Sequence, residues 1–276
     1  MTVPKALVLT GFGLNCDYET DYSLKLAGVE SHRVHINQVI AGSVSDSLLD
    51  RHHILVFGGG FSWADDHGAG VLLALKVRNN MGEELLRFIQ KGKLVIGICN
   101  GFQSLVNLGL LPGFGRPYTD RRVALIPNES GNFLDAWVRL RIDPDSPCVF
   151  TKGMLQIELP VRHGEGNFYA AEEDIEKLFE KHQVVMRYTD EKGNDANRRW
   201  PMNPNGSLRD IAGICDPTGR IFGLMPHPEA FHHESNHPDW PVRKEILSRQ
   251  GKKFEDAEGD GIRIFRNAAE YVRRNL

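Results

Sequence analysis

The sequence has no large excess of either charge and no long apolar run. Its 276 residues include 33 Lys and Arg against 36 Asp and Glu, which gives a formal net charge of −3. This near balance excludes the broad basic surface that binding to nucleic acid or to an anionic membrane requires. The longest apolar runs, at residues 6–9, 54–57 and 94–98, are far shorter than the roughly 20 residues of a membrane span. We therefore expect neither a nucleic-acid partner nor a membrane.

Cysteine is scarce, and the four cysteines, Cys16, Cys99, Cys148 and Cys215, form no CxxC pair. A chain of this length buries enough surface to fold without disulfides or a structural metal. The first residues, MTVPKALVLTGFG, have neither a basic region nor a cleavage site, so no signal peptide is expected. We therefore expect a soluble protein of a reducing compartment, the cytoplasm.

Apolar segments alternate with helical patterns along the chain. Residues 5–10, 54–57 and 93–98 read as buried strands, and residues 17–27 and 70–90 read as helices. This alternation predicts an α/β fold with a central, mostly parallel sheet and helices on both faces. Further strands, joined by turns, predict a smaller antiparallel region; they lie at residues 123–127, 133–142, 155–161, 183–188, 210–215 and 221–224.

Two more helices are predicted at residues 172–181 and 261–274, the second amphipathic. No repeat, low-complexity tract or change of composition divides the chain, so we expect a single domain over residues 1–276. Residues 232–259 are polar and are predicted to form an excursion from it.

The third apolar strand ends at a cysteine between small residues, in the sequence Gly97-Ile98-Cys99-Asn100-Gly101. A helical pattern follows, so the segment predicts a nucleophile elbow, in which glycines two residues either side of the nucleophile prevent clashes. The thiol would lie at a helix N-terminus, which favours the thiolate. The N–H of Asn100 would supply half of an oxyanion hole. The alternative is a structural cysteine at a strand end.

A histidine lies between two prolines in Pro226-His227-Pro228-Glu229. A residue before proline is biased towards the extended conformation, in which residues i and i+2 point the same way. Glu229 can then reach the imidazole of His227 and fix its tautomer, as in a triad. The alternative is a surface loop in which His and Glu occur by chance.

Residues 58–60 are three glycines that follow a predicted strand, and they would supply the other oxyanion donor. The alternative is an ordinary glycine turn. A dinucleotide-binding fingerprint at residues 11–16 fails, because Cys16 stands at the third glycine position and no acidic residue ends the next strand. A zinc site built from His232, His233, His237 and Asp239 is a further alternative, but these residues lack metal-ligand spacing on a known element.

Together these motifs resemble the class I glutamine amidotransferases, which have a flavodoxin-like fold. More narrowly, the chain resembles the family of glutaminase subunits of phosphoribosylformylglycinamidine synthase, an enzyme of purine biosynthesis. The general resemblance rests on the glycine loop, GICNGFQ and MPHPE, in that order. The narrower one rests on GFGLNCDYET, GGFSWADDHGAG, NESGNF, RHGEGNF and the segment at residues 188–207, which span nearly the whole chain.

The resemblance implies a role for each matching residue. Cys99 would be the nucleophile, His227 the general base and acid, and Glu229 the residue that orients His227. Backbone N–H groups of Asn100 and of Gly59 or Gly60 would form the oxyanion hole. The residues implied in substrate binding are Gln103, Asn128, Ser130 and Phe133.

The implied reaction is hydrolysis of L-glutamine to glutamate, with ammonia passed to a synthetase subunit that uses ATP. No cofactor or metal is expected in this chain, which lacks a GxxxxGK[ST] loop. ATP and Mg are expected on the synthetase, with or without a small third subunit. Segments 163–167 and 200–207 are predicted to contact the synthetase, the alternative being that the first is a turn packed beside the triad.

The chain departs from the family pattern at Gly58, at Trp63-Ala64 and at Ala230, and the excursion at 232–259 is longer than expected for a stand-alone subunit. None of these changes removes a member of the triad. Two other functions remain open from the sequence. One is a different cysteine amidohydrolase or amidotransferase on the same fold, and the other is a non-catalytic binding module.

Overall fold

The computed structural model describes residues 2–42, 48–115, 118 and 120–276. The strands are, in chain order, β1 (Lys5–Thr10), β2 (Glu30–His35), β3 (Ile54–Phe57), β4 (Leu94–Ile98), β5 (Val123–Ile126), β6 (Leu134–Ile142), β7 (Gln156–His163), β8 (Asn167–Ala170), β9 (Val184–Thr189), β10 (Ile211–Cys215) and β11 (Ile221–Leu224). The helices are α1 (Asp17–Leu26), α2 (Ile36–Gly42), α3 (Val71–Gln90), α4 (Asn100–Leu108), α5 (Glu172–Glu180), α6 (Trp240–Arg249) and α7 (Ile262–Asn275).

Nine of these strands form one sheet, in the order β2-β1-β3-β4-β11-β10-β9-β6-β7. Neighbours from β2 to β11 are parallel, and neighbours from β11 to β7 are antiparallel. Helices α1 and α7 pack together, as do α3 and α4, and the two groups flank the sheet. The predicted α/β fold, with a parallel sheet, flanking helices and a smaller antiparallel region, is confirmed. The antiparallel strands extend the same sheet, apart from the separate pair β5–β8.

The parallel strands are buried because helices cover them. Every residue of β3 and β4 is buried. Each large aliphatic side chain removed from water there stabilises the fold by about 1.5–3 kcal/mol. Continuous apolar strands of this kind are stable only between two layers of helices, which is why they could be recognised in the sequence.

The register of the parallel strands positions the functional segments. Phe57 in β3 pairs with Gly97 in β4, and Leu224 in β11 pairs with Ile98 in β4. The carboxyl ends of these three strands therefore lie side by side. The glycine loop, Cys99 and the segment that leads to His227 all leave the sheet at this edge, which is the usual ligand edge of a parallel sheet.

Three elements were not among those the sequence predicted: α2, β8 and α6. Helix α6 lies inside the polar excursion at 232–259 and buries none of its side chains. It therefore has no apolar stripe by which a sequence pattern could reveal it. The excursion is closed at its base, where the N–H of Glu234 donates to the carbonyl of Ala257 at 3.0 Å. Among the described residues, no helix is long and apolar enough to cross a bilayer.

Candidate active site

Cys99 lies in a strained turn between β4 and α4. Its backbone has φ 51° and ψ −106°, in a region that residues with a side chain seldom occupy. A Cβ on Gly97 would come within 2.7 Å of the backbone of Gly101, and one on Gly101 would overlap the carbonyl of Phe57. The small residues predicted for a nucleophile elbow are therefore required by close packing of the strand, the turn and the helix.

The thiol of Cys99 is almost enclosed, since the residue is 4% exposed. Its Sγ lies 3.7 Å from the carbonyl oxygen of Arg162, in the penultimate residue of β7. The residue precedes the first turn of α4, where the free N–H groups of the helix favour a negative charge. This placement suits a nucleophilic thiolate.

His227 and Glu229 form a buried couple. Nδ1 of His227 and Oε1 of Glu229 are 2.6 Å apart, and both residues are almost fully buried. His227 is extended, as predicted, but Glu229 lies in a short 3₁₀ turn, Pro228–Ala230. The contact therefore depends on this turn rather than on two residues of an extended chain, and the N–H of His227 fixes the segment to β7 by donating to the carbonyl of Pro160.

The surroundings favour the protonated form of His227. Burial lowers its pKa, but the charges of Glu229 and Cys99 outweigh burial and raise the pKa of His227 well above its usual value. Nε2 of His227 is buried and has no hydrogen-bond partner among the described residues. It is the nitrogen that can exchange a proton with the thiol, while Nδ1 is held by Glu229.

The glycine loop at residues 58–60 passes directly over the imidazole. A Cβ on Gly59 would lie 2.7 Å from Cε1 of His227, so only glycine fits at that position. Gly60 has φ +142°, and a Cβ there would meet the backbone of Asn15 at 2.7 Å. The loop is thus held close to the triad, where its N–H groups and that of Asn100 stay the predicted oxyanion donors.

The side chains of Asn100 and Gln103 are both buried on α4. Asn100 donates from Nδ2 to Asp65 Oδ1 at 2.9 Å and to Gln103 Oε1 at 3.2 Å. Gln103 in turn donates from Nε2 to the carbonyl of Glu165 at 2.5 Å. Burial and the charge of Glu165 raise the pKa of Asp65 to about 6, although the hydrogen bond from Asn100 acts to lower it. The predicted substrate residue Gln103 therefore lies about one helical turn from Cys99, and Asn100 links its side chain to Asp65.

The other three predicted substrate residues lie in different surroundings. Asn128 is buried, and its Nδ2 donates to the carbonyls of Asn132 and His163. Its side chain therefore holds the turn after β7 in place. Ser130 is exposed and bonds locally to Asn132. Phe133 is 53% exposed and has its ring 6.1 Å from that of Phe61, which belongs to the loop after the glycines.

Two residues beside the triad were not singled out from the sequence: Cys16 and Arg162. The thiol of Cys16 lies within 4.8 Å of ligand atoms of His227 and Glu229, and burial raises its pKa. Arg162 contacts the same couple with its guanidinium. Cys16 and Arg162 both belong to motifs that carried the family resemblance, but nothing in those motifs indicates that they face His227.

His163 is buried and uncharged. Burial, together with the charge of His227, lowers its pKa to about 3. Its Nδ1 lies 3.1 Å from Asn128 Oδ1, and its Nε2 lies 3.4 Å from Asn205 Nδ2. Most of segments 163–167 and 200–207 is buried, so the first is a turn packed beside the triad. In the second, Trp200 and Pro201 are exposed and remain available for partner contact.

The zinc alternative is wrong, because no three of His232, His233, His237 and Asp239, all of which the structure describes, bring their ligand atoms within 4.8 Å of one another. Two other groups in the described part of the chain do so. One is Cys16, His227 and Glu229, and the other is Asp143, Asp145 and His182, which is largely exposed. In the first group, the His227–Glu229 hydrogen bond and the nearby Arg162 cation favour proton transfer over metal binding.

Comparison with known proteins agrees with this geometry. Residues 3–272 match the model of the CobB/CobQ-like glutamine amidotransferase domain. The chain is 44% identical to the phosphoribosylformylglycinamidine synthase subunit PurQ of Methanococcus maripaludis strain S2, over 99% of this chain and 98% of that protein. It is 46% identical to PurQ of Dehalococcoides mccartyi, over 99% of this chain and 100% of that protein.

A solved structure of PurLQS from Thermotoga maritima matches with a TM-score of 0.68 and 28% identity, over 98% of this chain and 100% of that chain. A putative GMP synthase subunit from Thermoplasma acidophilum, with a TM-score of 0.53 and 13% identity, shares the fold. The elbow cysteine, the buried His–Glu couple and these whole-length similarities lead to one conclusion. The chain belongs to the CobB/CobQ-like glutamine amidotransferases and, within them, to the PurQ subunits of phosphoribosylformylglycinamidine synthase.

Proposed function

We propose that this chain is the glutaminase subunit of a phosphoribosylformylglycinamidine synthase. It hydrolyses glutamine to glutamate and supplies ammonia for the ATP-dependent conversion of formylglycinamide ribonucleotide to formylglycinamidine ribonucleotide, in the cytoplasm. The observation that carries the proposal is the strained Cys99 elbow beside the 2.6 Å His227–Glu229 couple. The PurQ relatives, similar over the whole chain, supply the substrate class.

The reaction begins with the Cys99 thiolate, which attacks the side-chain amide carbon of glutamine. The tetrahedral oxyanion is stabilised by the N–H of Asn100 and by N–H groups of the glycine loop. His227 gives its proton to the leaving nitrogen, so ammonia departs and a thioester remains. His227 then accepts a proton from water as the water attacks the thioester. Breakdown of this adduct releases glutamate and leaves Cys99 as the thiolate beside the protonated His227, and the new carboxyl group loses its proton to solvent.

Glu229 keeps His227 in the tautomer that this sequence requires. With the Nδ1 proton held by Glu229 Oε1, only Nε2 takes up and gives back the transferred proton. Gln103, Ser130 and Phe133 are proposed to contact the substrate, and Asn128 is proposed to shape its site from beneath. No cofactor of this chain enters the reaction.

The proposed partner is a synthetase subunit that binds ATP and Mg, with or without a small third subunit. Support comes from the relatives, which are described as subunits of the synthase, and from the solved PurLQS structure. Trp200 is a proposed contact, because it is 62% exposed on a loop that is otherwise buried around residues 203–207.

The proposal is tested by measuring glutamate release from glutamine with and without a PurQ-free synthetase, ATP and formylglycinamide ribonucleotide. We expect strong activation by the complete mixture. Equal release with and without the synthetase would retain the Cys-His-Glu chemistry but would contradict the purine assignment. Hydrolysis of other amides in preference to glutamine would indicate another cysteine amidohydrolase, and no turnover in any mixture would indicate a non-catalytic module.

A further inference from the structure

Arg162 lies against the catalytic couple but takes no part in the reaction described above. Its Nη2 is 3.5 Å from Nδ1 of His227 and 4.0 Å from Oε1 of Glu229. Its backbone carbonyl meanwhile faces the thiol of Cys99 at 3.7 Å. One residue of β7 thus contacts the triad through both its backbone and its charge.

The guanidinium is shared between two carboxylates. Its Nη2 donates to Glu19 Oε2 at 2.9 Å, so the nearer partner is on α1 and the more distant one is Glu229. The side chain of Glu19 is 42% exposed, whereas that of Glu229 is fully buried. Burial lowers the pKa of Arg162, but Glu19 and Glu229 outweigh burial and raise it, so the group stays cationic.

The contact with His227 is a charge contact rather than a hydrogen bond. Nδ1 carries the proton that it donates to Glu229, so it cannot also accept one from Arg162. A cation at this distance disfavours the imidazolium and weakens the pull of Glu229 on it. A single charge within about 4–6 Å changes a pKa by about 1–3 units.

Several elements pack against His227, and each brings titratable or charged side chains to the site. Glu229 comes from its own segment, Cys99 from the elbow, Cys16 from the residue before α1, and Arg162 and His163 from β7. Glu19 on α1 reaches this group through Arg162, and His232 contacts the backbone carbonyl of Glu229. Of these side chains, Arg162 alone is a permanent cation, and His163 is neutral because of its lowered pKa. Arg162 is therefore the charged side chain that adds to burial in opposing protonation of His227 at neutral pH.

We propose that Arg162 is a positioning residue that limits the basicity of His227, and that Glu19 sets the strength of this effect by holding the guanidinium away from Glu229. Without Arg162, the imidazolium gains the full effect of Glu229. Without Glu19, Arg162 has Glu229 as its remaining carboxylate partner at this site and neutralises it more completely. The two losses therefore move the pKa of His227 in opposite directions. This effect on the charge of His227 does not depend on which substrate the site binds. Only its effect on the rate of glutamine hydrolysis rests on the proposed function.

The test is the NMR titration of His227 in the full-length chain with labelled histidine. A Cys99→Ala background removes the titration of the thiol. We expect Arg162→Gln to raise the pKa of His227 by about one unit and Glu19→Gln to lower it by about half a unit. Arg162→Lys keeps the charge, and because Arg162 contacts its partners through one nitrogen, this variant should titrate within a few tenths of a unit of the parent.

Shifts of the same sign in Arg162→Gln and Glu19→Gln, or no measurable shift in either, would overturn the proposal. Glu19 is partly exposed on α1, so its variant is expected to fold. Arg162→Met is the second neutral variant if Arg162→Gln does not fold. The titration needs no turnover. A chain that releases no glutamate but shows the opposed shifts would refute the proposed function and leave the role of Arg162 standing.

Discussion

At the scale of single residues, two buried histidines beside the nucleophile have opposite protonation because their partners differ. His227 faces Glu229 and the Cys99 sulfur, and these negative groups raise its pKa against the effect of burial. His163 faces the neutral amides of Asn128 and Asn205, so no negative group offsets burial, and burial together with the charge of His227 lowers the pKa to about 3. Desolvation is common to both, and the neighbouring charge decides the outcome.

The neutral state of His163 predicts an acid sensitivity of folding. Its folded pKa is depressed from 6.5 to about 3, so below pH 6.5 the unfolded chain binds a proton that the folded chain does not. The stability that His163 contributes is present above pH 6.5 and is lost as the pH falls towards 3. Once the unfolded histidine is protonated, the loss is about 1.4 kcal/mol per pH unit.

Urea unfolding of the wild type and of His163→Gln, measured between pH 7 and pH 4.5, checks this effect. Gln retains a hydrogen-bond donor and an acceptor but does not titrate. The free energy of unfolding of His163→Gln should therefore fall less steeply with decreasing pH than that of the wild type. The slope is compared rather than the absolute stability, because the substitution also changes packing. Parallel slopes for the two proteins would contradict a neutral His163.

At the scale of elements, the elbow depends on how closely α4 approaches β3. Gly101 in the first turn of α4 lies against the carbonyl of Phe57 at the end of β3. The register that pairs β3, β4 and β11 leaves no room for a side chain at this point. The strain at Cys99 is therefore maintained by packing of the surrounding sheet and helix.

Gly101→Ala is expected to lower the free energy of unfolding by about 2–3 kcal/mol, because α4 must move away from β3. Gly82→Ala is the matched control in α3. Apart from its two chain neighbours and the backbone of its own helix, nothing lies within 4 Å of a Cβ at Gly82, so alanine there should stabilise the helix by about 0.5–1 kcal/mol. Chemical denaturation of both variants measures the two effects, and a neutral Gly101→Ala would show that the elbow is not sterically fixed.

Helix α6 is attached to the rest of the molecule mainly by charge. It buries no side chain, but Nη2 of Arg243 bonds to Glu158 Oε2 on β7 at 2.5 Å, and Nη1 bonds to Glu234 Oε2 at 3.2 Å. These pairs are partly shielded from water, so they contribute more than the fully exposed pair of Arg249 and Glu245 on the same helix.

Arg243→Ala should therefore increase hydrogen exchange of the α6 amides by about fivefold, which corresponds to about 1 kcal/mol. The amides of the central sheet should be unaffected. Arg249→Ala serves as the control and should leave exchange in α6 nearly unchanged. Hydrogen exchange is measured by mass spectrometry. Equal increases in exchange for the two variants would show that the ion pairs of Arg243 do not hold the helix.

At the scale of the whole molecule, glutamine hydrolysis and the use of ammonia are proposed to take place on different subunits. Cys99 is 4% exposed, and the proposed synthetase reaction takes place on another subunit. Loss of the nucleophile should then remove only the glutamine-dependent half of the reaction.

In the complete complex, Cys99→Ala is expected to reduce glutamine-dependent synthesis by about 10³-fold or more, because the covalent step is lost. Synthesis from added ammonium salt should be unchanged. Product formation is measured in parallel with glutamine and with ammonium salt, which gives the ratio of glutamine-dependent to ammonia-dependent synthesis for each protein. If glutamine-driven turnover survives the substitution, the proposed mechanism is wrong.

Much of the fold and the chemistry could be predicted because the signals are local. The buried strands are continuous apolar segments, and the elbow needs glycines at fixed offsets from Cys99. A histidine between two prolines is an unusual sequence that can be recognised without the structure. Helix α6 could not be predicted because it buries no face. Strand β8 was missed because it begins inside segment 163–167, which the sequence indicated as a partner contact or a turn. The zinc alternative failed because proximity in sequence did not bring the four side chains together.

The sequence by itself determined the order of the chemistry along the chain: a glycine loop, a nucleophile after a buried strand, and a His–Glu pair near the C-terminus. Tertiary structure alone decided which charges surround that pair. The pairing of β4 with β11, and the packing of α1 and β7 around the catalytic edge, bring Cys16 and Arg162 to His227, and Glu19 to Arg162. Their separation along the chain leaves no pattern to detect, whereas in a buried site only groups a few ångströms away act strongly on the protonation of the histidine.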